Sequence, residues 1–292
     1  MNQLKLLLAA IALMLPLALF SCMPPIDSDV GETSETTEKE RPSAPAAPTF
    51  LYQTMTYEYK TDVSASIDFL TTKMSKDYLT LTTKSYPLGE TYEPESLVSL
   101  TCPTSEDKSI YLDARAAKAL YAMLEEMQAD GVTDIKVTSG YRSYVYQQQL
   151  YQSYLKIEKS KITPEAYAYF GVDYIKTTYT DKGLTQLSPE DATKVVLSYS
   201  APAGMSEHQT GLCVDFVTSS NTGLTTAFEN TEAFAWLSQN AYRFGFILRY
   251  PESKTAVTGY SYEPWHFRFV GREAATEIAL RSLTLEEFLG AP

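Results

Sequence analysis

Histidine is nearly missing from this chain, with two in 292 residues. Imidazole chemistry, whether metal binding or proton transfer, is therefore confined to one or two places. Cysteine is limited to three, too few for a disulfide scaffold. Basic residues are outnumbered, 24 Lys and Arg against 36 Asp and Glu, for a formal charge of −12. A chain this acidic lacks the positive footprint of nucleic-acid binding, so no nucleic-acid partner is expected. No Gly-rich phosphate loop follows a strand, which disfavours a nucleotide fold. What is present is 44% hydrophobic and 21% charged residues, enough to build a globular core in one large domain or two small ones.

Lys5 precedes an apolar run from Leu6 to Phe20, interrupted by Pro16 and followed by Ser21-Cys22. This reads as a secretory signal, shorter than the roughly 20 residues that span a bilayer. Leu19-Phe20-Ser21-Cys22 resembles a bacterial lipobox, in which Cys22 is lipidated. An ordinary signal with an incidental cysteine, or a retained anchor, are the other readings. Residues 23–48 carry five prolines, many Ser and Thr, and acids from Asp27 to Glu40. They read as a polar tether. The expected localisation is extracytoplasmic, on a bacterial membrane through a lipid anchor.

From 49 to 292 the pattern is that of one α+β domain. Tyr78–Thr82 alternates like a strand, and 85–100 reads as loop. Asp113–Gly131 is a helix by its apolar spacing, with Asp113 as cap. Ile135 and Val137 enter a short strand. Ser139–Ser143 is a turn, and Ser143 caps a helix over 144–157. Thr163-Pro164 and Ser188-Pro189 mark helix starts inside a helical insertion at about 158–200. Leu212–Val217, Phe246–Tyr250 and His266–Val270 read as strands. Thr231–Phe244 reads as a helix, and Thr284 with Glu287 has capping-box spacing ahead of a C-terminal one.

Both histidines sit among polar side chains, in Ser206-Glu207-His208-Gln209-Thr210-Gly211 through Asp215, and in Glu263-Pro264-Trp265-His266. A catalytic zinc keeps three nitrogen or oxygen ligands and an open position. His208, Asp215 and His266 would supply that set. On an unbroken strand His208 and Asp215 would face opposite ways, so the Gln209–Gly211 turn must reset the phase. Glu263 could share a proton with water activated by the metal. Arg142, in a Gly-containing turn, could stabilise an oxyanion. Gln147 on the following helix could face the same cleft, and Ser206 could bind substrate backbone. The same residues would also serve a Ser/His/Asp hydrolase, although no Gly-x-Ser-x-Gly elbow appears.

Taken together, these segments resemble the VanY-type zinc D-alanyl-D-alanine carboxypeptidases, a group that includes L,D-carboxypeptidases of peptidoglycan and the VanX dipeptidases. The matching stretches are Ser139-Gly140-Tyr141-Arg142-Ser143-Tyr144 with Gln147, Ser206 through Asp215, Gly245 through Pro251, and Gly259-Tyr260 through Glu263-Pro264-Trp265-His266-Phe267-Arg268. Lys84-Ser85-Tyr86-Pro87-Leu88 looks like the family's opening segment. The resemblance spans about 78 to 272, with a gap at the insertion.

The resemblance implies a small antiparallel sheet flanked by helices, of the Hedgehog/D,D-peptidase-like type, with Zn2+ on the sheet. It implies His208, Asp215 and His266 as ligands, Glu263 as general base, and Arg142 as the group polarising the scissile carbonyl. Ser206 and Gln147 would bind the peptide. Substrates would be peptidoglycan stem peptides that lose a C-terminal D-Ala, and the protein is expected to be a monomer. A peptidoglycan endopeptidase or dipeptidase, or a non-catalytic wall-binding lipoprotein, are the alternatives. A basic residue should meet the substrate carboxylate, with Arg249, Lys254 and Arg268 as candidates. Cys213 departs from the family, where a small residue such as Ala is usual. It is not read as a ligand, though alternation puts it on the face of Asp215. It could pair with Cys102 or remain a free thiol.

Overall fold

The computed structural model describes residues 57–63 and 78–291. The expected signal at 1–22 with Cys22, and the tether at 23–48, lie outside the described residues. Among the described residues no helix is long and apolar enough to cross a membrane.

Two short strands, β1 (Leu97–Ser99) and β2 (Tyr111–Asp113), pair antiparallel ahead of helix α1 (Ala114–Ala129). The Asp113 carboxylate accepts from the N–H groups of Arg115 and Ala116 and so starts α1, satisfying donors that have no partner within the helix. β1 corrects the reading of 85–100 as loop. Next come β3 (Lys136–Ser139) and α2 (Tyr144–Ser160), the latter capped by Ser143.

The insertion holds α3 (Pro164–Phe170), α4 (Val172–Thr178) and α5 (Pro189–Tyr199), with Thr163 capping α3 and Ser188 capping α5 as expected. α5 packs along α2. Ala166, Ile175, Tyr179, Leu187, Ala192 and Val195 form a small core of their own.

The rest of the chain gives β4 (Cys213–Val217), α6 (Glu232–Asn240), β5 (Phe246–Leu248), a single turn α7 (Thr255–Thr258), β6 (His266–Phe269), α8 (Arg272–Leu280) and α9 (Leu285–Leu289). The helix expected over Thr231–Phe244 gives way after Asn240 to a tighter 3-10 turn, Ala241–Phe244. Thr284 and Glu287 form a complete capping box on α9.

Strands β3, β4, β6 and β5 form one antiparallel sheet in that order. Alternation sorts its side chains. Val137, Val214, Phe216, Phe246, Phe267 and Phe269 share the core with Leu120 and Met123 of α1 and Leu237 of α6. Truncating a phenylalanine in such a core to alanine costs about 3–5 kcal/mol. By the same alternation Cys213, Asp215, His266 and Arg268 lie on the opposite face. That face is covered too. Leu79, Leu81, Ile247, Val270, Ile278 and Leu285 make a second core beside it. All five residues of β4 are therefore buried.

Tyr78–Thr82 does not form the expected strand. Tyr78, Leu79, Leu81 and Thr82 are all buried. The carbonyls of Tyr78 and Thr80 accept from Arg268 Nη2 at 2.9 and 3.0 Å. A guanidinium supplies the hydrogen bonds that a neighbouring strand would have given.

Candidate metal centre

Asp215 is opposite Ser139 on β3 and His266 on β6, so one row across three strands carries the centre of the site. His208 reaches it from a 3-10 turn, Glu207–Thr210. Gly211 ends that turn at φ +66°, with its N–H bonded to the His208 carbonyl. A Cβ there would lie 3.0 Å from Leu97 Cδ2 and 3.3 Å from the Asp113 nitrogen. The left-handed turn that only glycine adopts readily resets the phase between His208 and Asp215.

His208 Nδ1 lies 2.6 Å from the Gly140 carbonyl oxygen, which accepts its proton and leaves Nε2 facing Asp215 Oδ2 at 3.2 Å. Gly140 lets this stretch of backbone pack against β2, since a Cβ there would sit 2.5 Å from the Tyr111 carbonyl oxygen. His266 Nδ1 lies 2.9 Å from Asp215 Oδ1. The two imidazoles meet edge to face, with centroids 5.1 Å apart. Zinc bonds nitrogen and oxygen at about 2.0–2.1 Å, which in a tetrahedron sets donors roughly 3.3 Å apart. His208 Nε2 and His266 Nδ1 each approach one of the two Asp215 oxygens near that spacing, at 3.2 and 2.9 Å, and imidazole nitrogen and carboxylate oxygen are donors of the type zinc takes.

The charges are coupled. Burial disfavours the Asp215 carboxylate, but the two imidazoles beside it hold its pKa well below the usual range. Burial and Arg142 oppose protonation of His208, yet Cys213 and Asp215 raise its imidazole to about 9. His266, opposed by burial but beside Cys213 and Asp215, is raised well above its ordinary value.

Cys213 is a free, buried thiol, and Cys102 is a separate free thiol. The sulfur of Cys213 and one nitrogen from each of His208 and His266 lie within 4.8 Å of one another. Burial pushes this thiol up, but the imidazoles outweigh it and bring it down to about 7. Sulfur and the Asp215 carboxylate thus both border the imidazole pair.

The turn before β6 places Glu263. The His266 N–H donates to the Glu263 carbonyl, and the Glu263 N–H to that of Tyr250. Glu263 Oε2 comes 3.8 Å from His266 Nδ1, with the side chain 13% exposed. Burial pushes its carboxyl up to about 7, the imidazoles and Arg142 pulling against burial and Asp215 adding to it.

Arg142 stands at the rim. Its Nη2 donates to Asp215 Oδ2 at 3.1 Å and lies 3.1 Å from His208 Nε2. Ser139 Oγ accepts from Nε at 3.0 Å and Gln147 Oε1 from Nη1 at 3.2 Å. Gln147 is 1% exposed, and its Nε2 donates to the Ala201 carbonyl at 2.7 Å. Gln147 thus braces Arg142, with one end of its amide on the guanidinium and the other on a backbone carbonyl. Ser206 precedes the 3-10 turn without capping it through its side chain.

The candidates for the substrate carboxylate are corrected. Arg249 and Arg268 have side chains with no exposure. Arg249 grips Glu286 bidentately, at 2.6 and 2.9 Å, and donates through Nε to Glu207 Oε1 at 2.8 Å. Arg268 Nη1 donates to the same Glu207 oxygen at 2.8 Å. Lys254 is paired with Glu287. Sequence reasoning missed Glu207 as the centre of this buried ion cluster. The available signal was two arginines within otherwise apolar strands, because a buried guanidinium requires a buried acid.

The VanY family model, described as D-alanyl-D-alanine carboxypeptidase, matches residues 109–272. YodJ of Bacillus subtilis is 31% identical over 267 residues, covering 89% of this chain and 85% of that one. The LdcB LD-carboxypeptidase structure is similar with a TM-score of 0.58 at 32% identity, covering 72% of this chain and 85% of that chain. A mutant of the vancomycin-resistance D,D-pentapeptidase VanY, solved in complex with Zn(II), gives a TM-score of 0.54 at 33% identity, with 73% and 99% covered. The matched span encloses the whole four-stranded sheet and every candidate site residue except Cys22, and the chain belongs to the VanY family of D-alanyl-D-alanine carboxypeptidases.

Proposed function

We propose that this chain is a zinc-dependent carboxypeptidase that removes the C-terminal D-Ala from peptidoglycan stem peptides, as a D,D- or an L,D-carboxypeptidase. The observation that carries this reading is the approach of His208 Nε2 and His266 Nδ1 to the two oxygens of Asp215, at 3.2 and 2.9 Å, with Glu263 beside them. The family match and the LD-carboxypeptidase likeness support the substrate class.

Zinc bound by these three side chains would supply a Lewis acid that lowers the pKa of water toward about 7. Glu263, partly exposed and only three residues from His266, takes a proton from the attacking water and returns it to the departing amine of D-Ala. Arg142, braced by Ser139 and Gln147, holds a permanent positive charge where the carbonyl oxygen becomes an oxyanion. Ser206 is assigned to the substrate backbone.

Metal analysis of the purified protein, followed by digestion of muropeptides and mass spectrometry, tests this. One zinc per chain and loss of a single D-Ala from a penta- or tetrapeptide are expected. Release of a dipeptide or cleavage of cross-links would reassign the specificity. A protein that binds no zinc and leaves every muropeptide intact would overturn the reading. The lipobox-like sequence supports a lipid anchor at Cys22 and an extracytoplasmic site of action. A Cys22→Ala protein that stays with the membrane fraction would remove that assignment.

A further inference from the structure

Glu207 shares a 3-10 turn with His208 and is buried. Its Oε1 is held by Arg249 and Arg268, each at 2.8 Å. Its Oε2 is buried and has no hydrogen-bond partner, and neither has Nε2 of His266. These two atoms face one another at 3.5 Å. One is an acceptor and the other carries or can carry a proton, so each is the complement the other needs.

An imidazole that binds a metal through one nitrogen donates its other N–H to an outer acceptor, which fixes the tautomer and the ring angle. His208 has that acceptor in the Gly140 carbonyl. We propose that Glu207 is the corresponding residue for His266: its Oε2 accepts the Nε2 proton and so turns the Nδ1 lone pair toward the ion shared with Asp215 and His208. Glu207 is a positioning residue, acting through His266. The two arginines and Glu286 behind Arg249 keep the carboxylate in place. Thr210 Oγ1 donates to the Glu207 carbonyl at 2.6 Å and stiffens the turn. One short turn therefore carries an inner ligand, His208, and the outer anchor of the other imidazole.

The inference rests on the zinc reading above, and Glu207→Gln in the full-length chain separates the two. Glutamine keeps the size and can still accept from the arginines through its carbonyl oxygen. Its amide then presents N–H to His266 Nε2 and favours the wrong tautomer. Zinc affinity, measured by competition with a chromogenic chelator, should fall about 10- to 100-fold. Glu286→Gln, which weakens the same ion cluster without touching His266, should lower zinc affinity by less than Glu207→Gln does. Equal affinity in folded Glu207→Gln, or an equal loss in Glu286→Gln, would overturn the proposal. Nitrogen-15 NMR of zinc-loaded wild-type protein gives an answer even if the variant fails to fold. His266 should carry its proton on Nε2, and a proton on Nδ1 would overturn it. Wild-type protein that binds no zinc would instead sink the metal reading itself.

Discussion

Asp215 Oδ1 lies 2.9 Å from His266 Nδ1, and the two residues are directly opposite each other on β4 and β6. Strand register therefore sets their separation. Because a slip of one residue turns every side chain of a strand to its other face, the alternation that buries Phe267 and Phe269 also fixes where His266 points.

This register puts Asp215 and Cys213 on the same face, and metal content distinguishes them as third ligand. Asp215→Ala should lose most of its zinc after dialysis, whereas Cys213→Ala should keep one equivalent. The reverse pattern in metal analysis would move the ligand from oxygen to sulfur.

Glu263→Gln should retain zinc and lose turnover. Positioned general acid–base groups contribute typically 10²- to 10⁴-fold, so kcat for release of D-Ala should fall within that range. Unchanged kcat would remove Glu263 from proton transfer.

Zinc binding should release protons near neutral pH. Without metal, His208 titrates near 9 and His266 well above its ordinary value, whereas metal ligands must be deprotonated. Affinity should therefore rise with pH and weaken as pH falls below about 9. Calorimetry in buffers of different ionisation enthalpy measures the release directly. No proton release at pH 7 would contradict the assignment of both imidazoles as ligands.

Much of this was readable because it is local. Asp113, Ser143, Thr163 and Ser188 each cap the helix that their position announced, since a cap involves only residues two or three apart. The histidines drew attention because there are only two. What the sequence hid depends on distant packing. Tyr78–Thr82 alternates like a strand, but Arg268, far along the chain, takes its carbonyls. Gln147 was placed on the correct helix, yet its burial against Ala201 could not be foreseen. Glu207, next to a metal-ligand candidate, showed its role only once Arg249, Arg268 and His266 closed around it.

Glu207 also predicts behaviour in acid. Burial favours its neutral form, but Arg249 and Arg268 hold its pKa well below the ordinary 4.5. A group depressed in the folded state contributes stability above its unfolded pKa and loses it as pH falls toward the folded one. The melting temperature should thus drop as pH is lowered below about 4.5, and Glu207→Gln should flatten that dependence. An identical slope in the variant would rule out Glu207 as a source of acid sensitivity.

The helices between α2 and β4 keep their own apolar cluster, built from Ala166, Ile175, Tyr179, Leu187, Ala192 and Val195. Such an annex can be reshaped by drift without disturbing the ladder that holds the reacting groups. Substitutions inside that cluster should therefore leave the pairing of Asp215 with His266 across β4 and β6 in place.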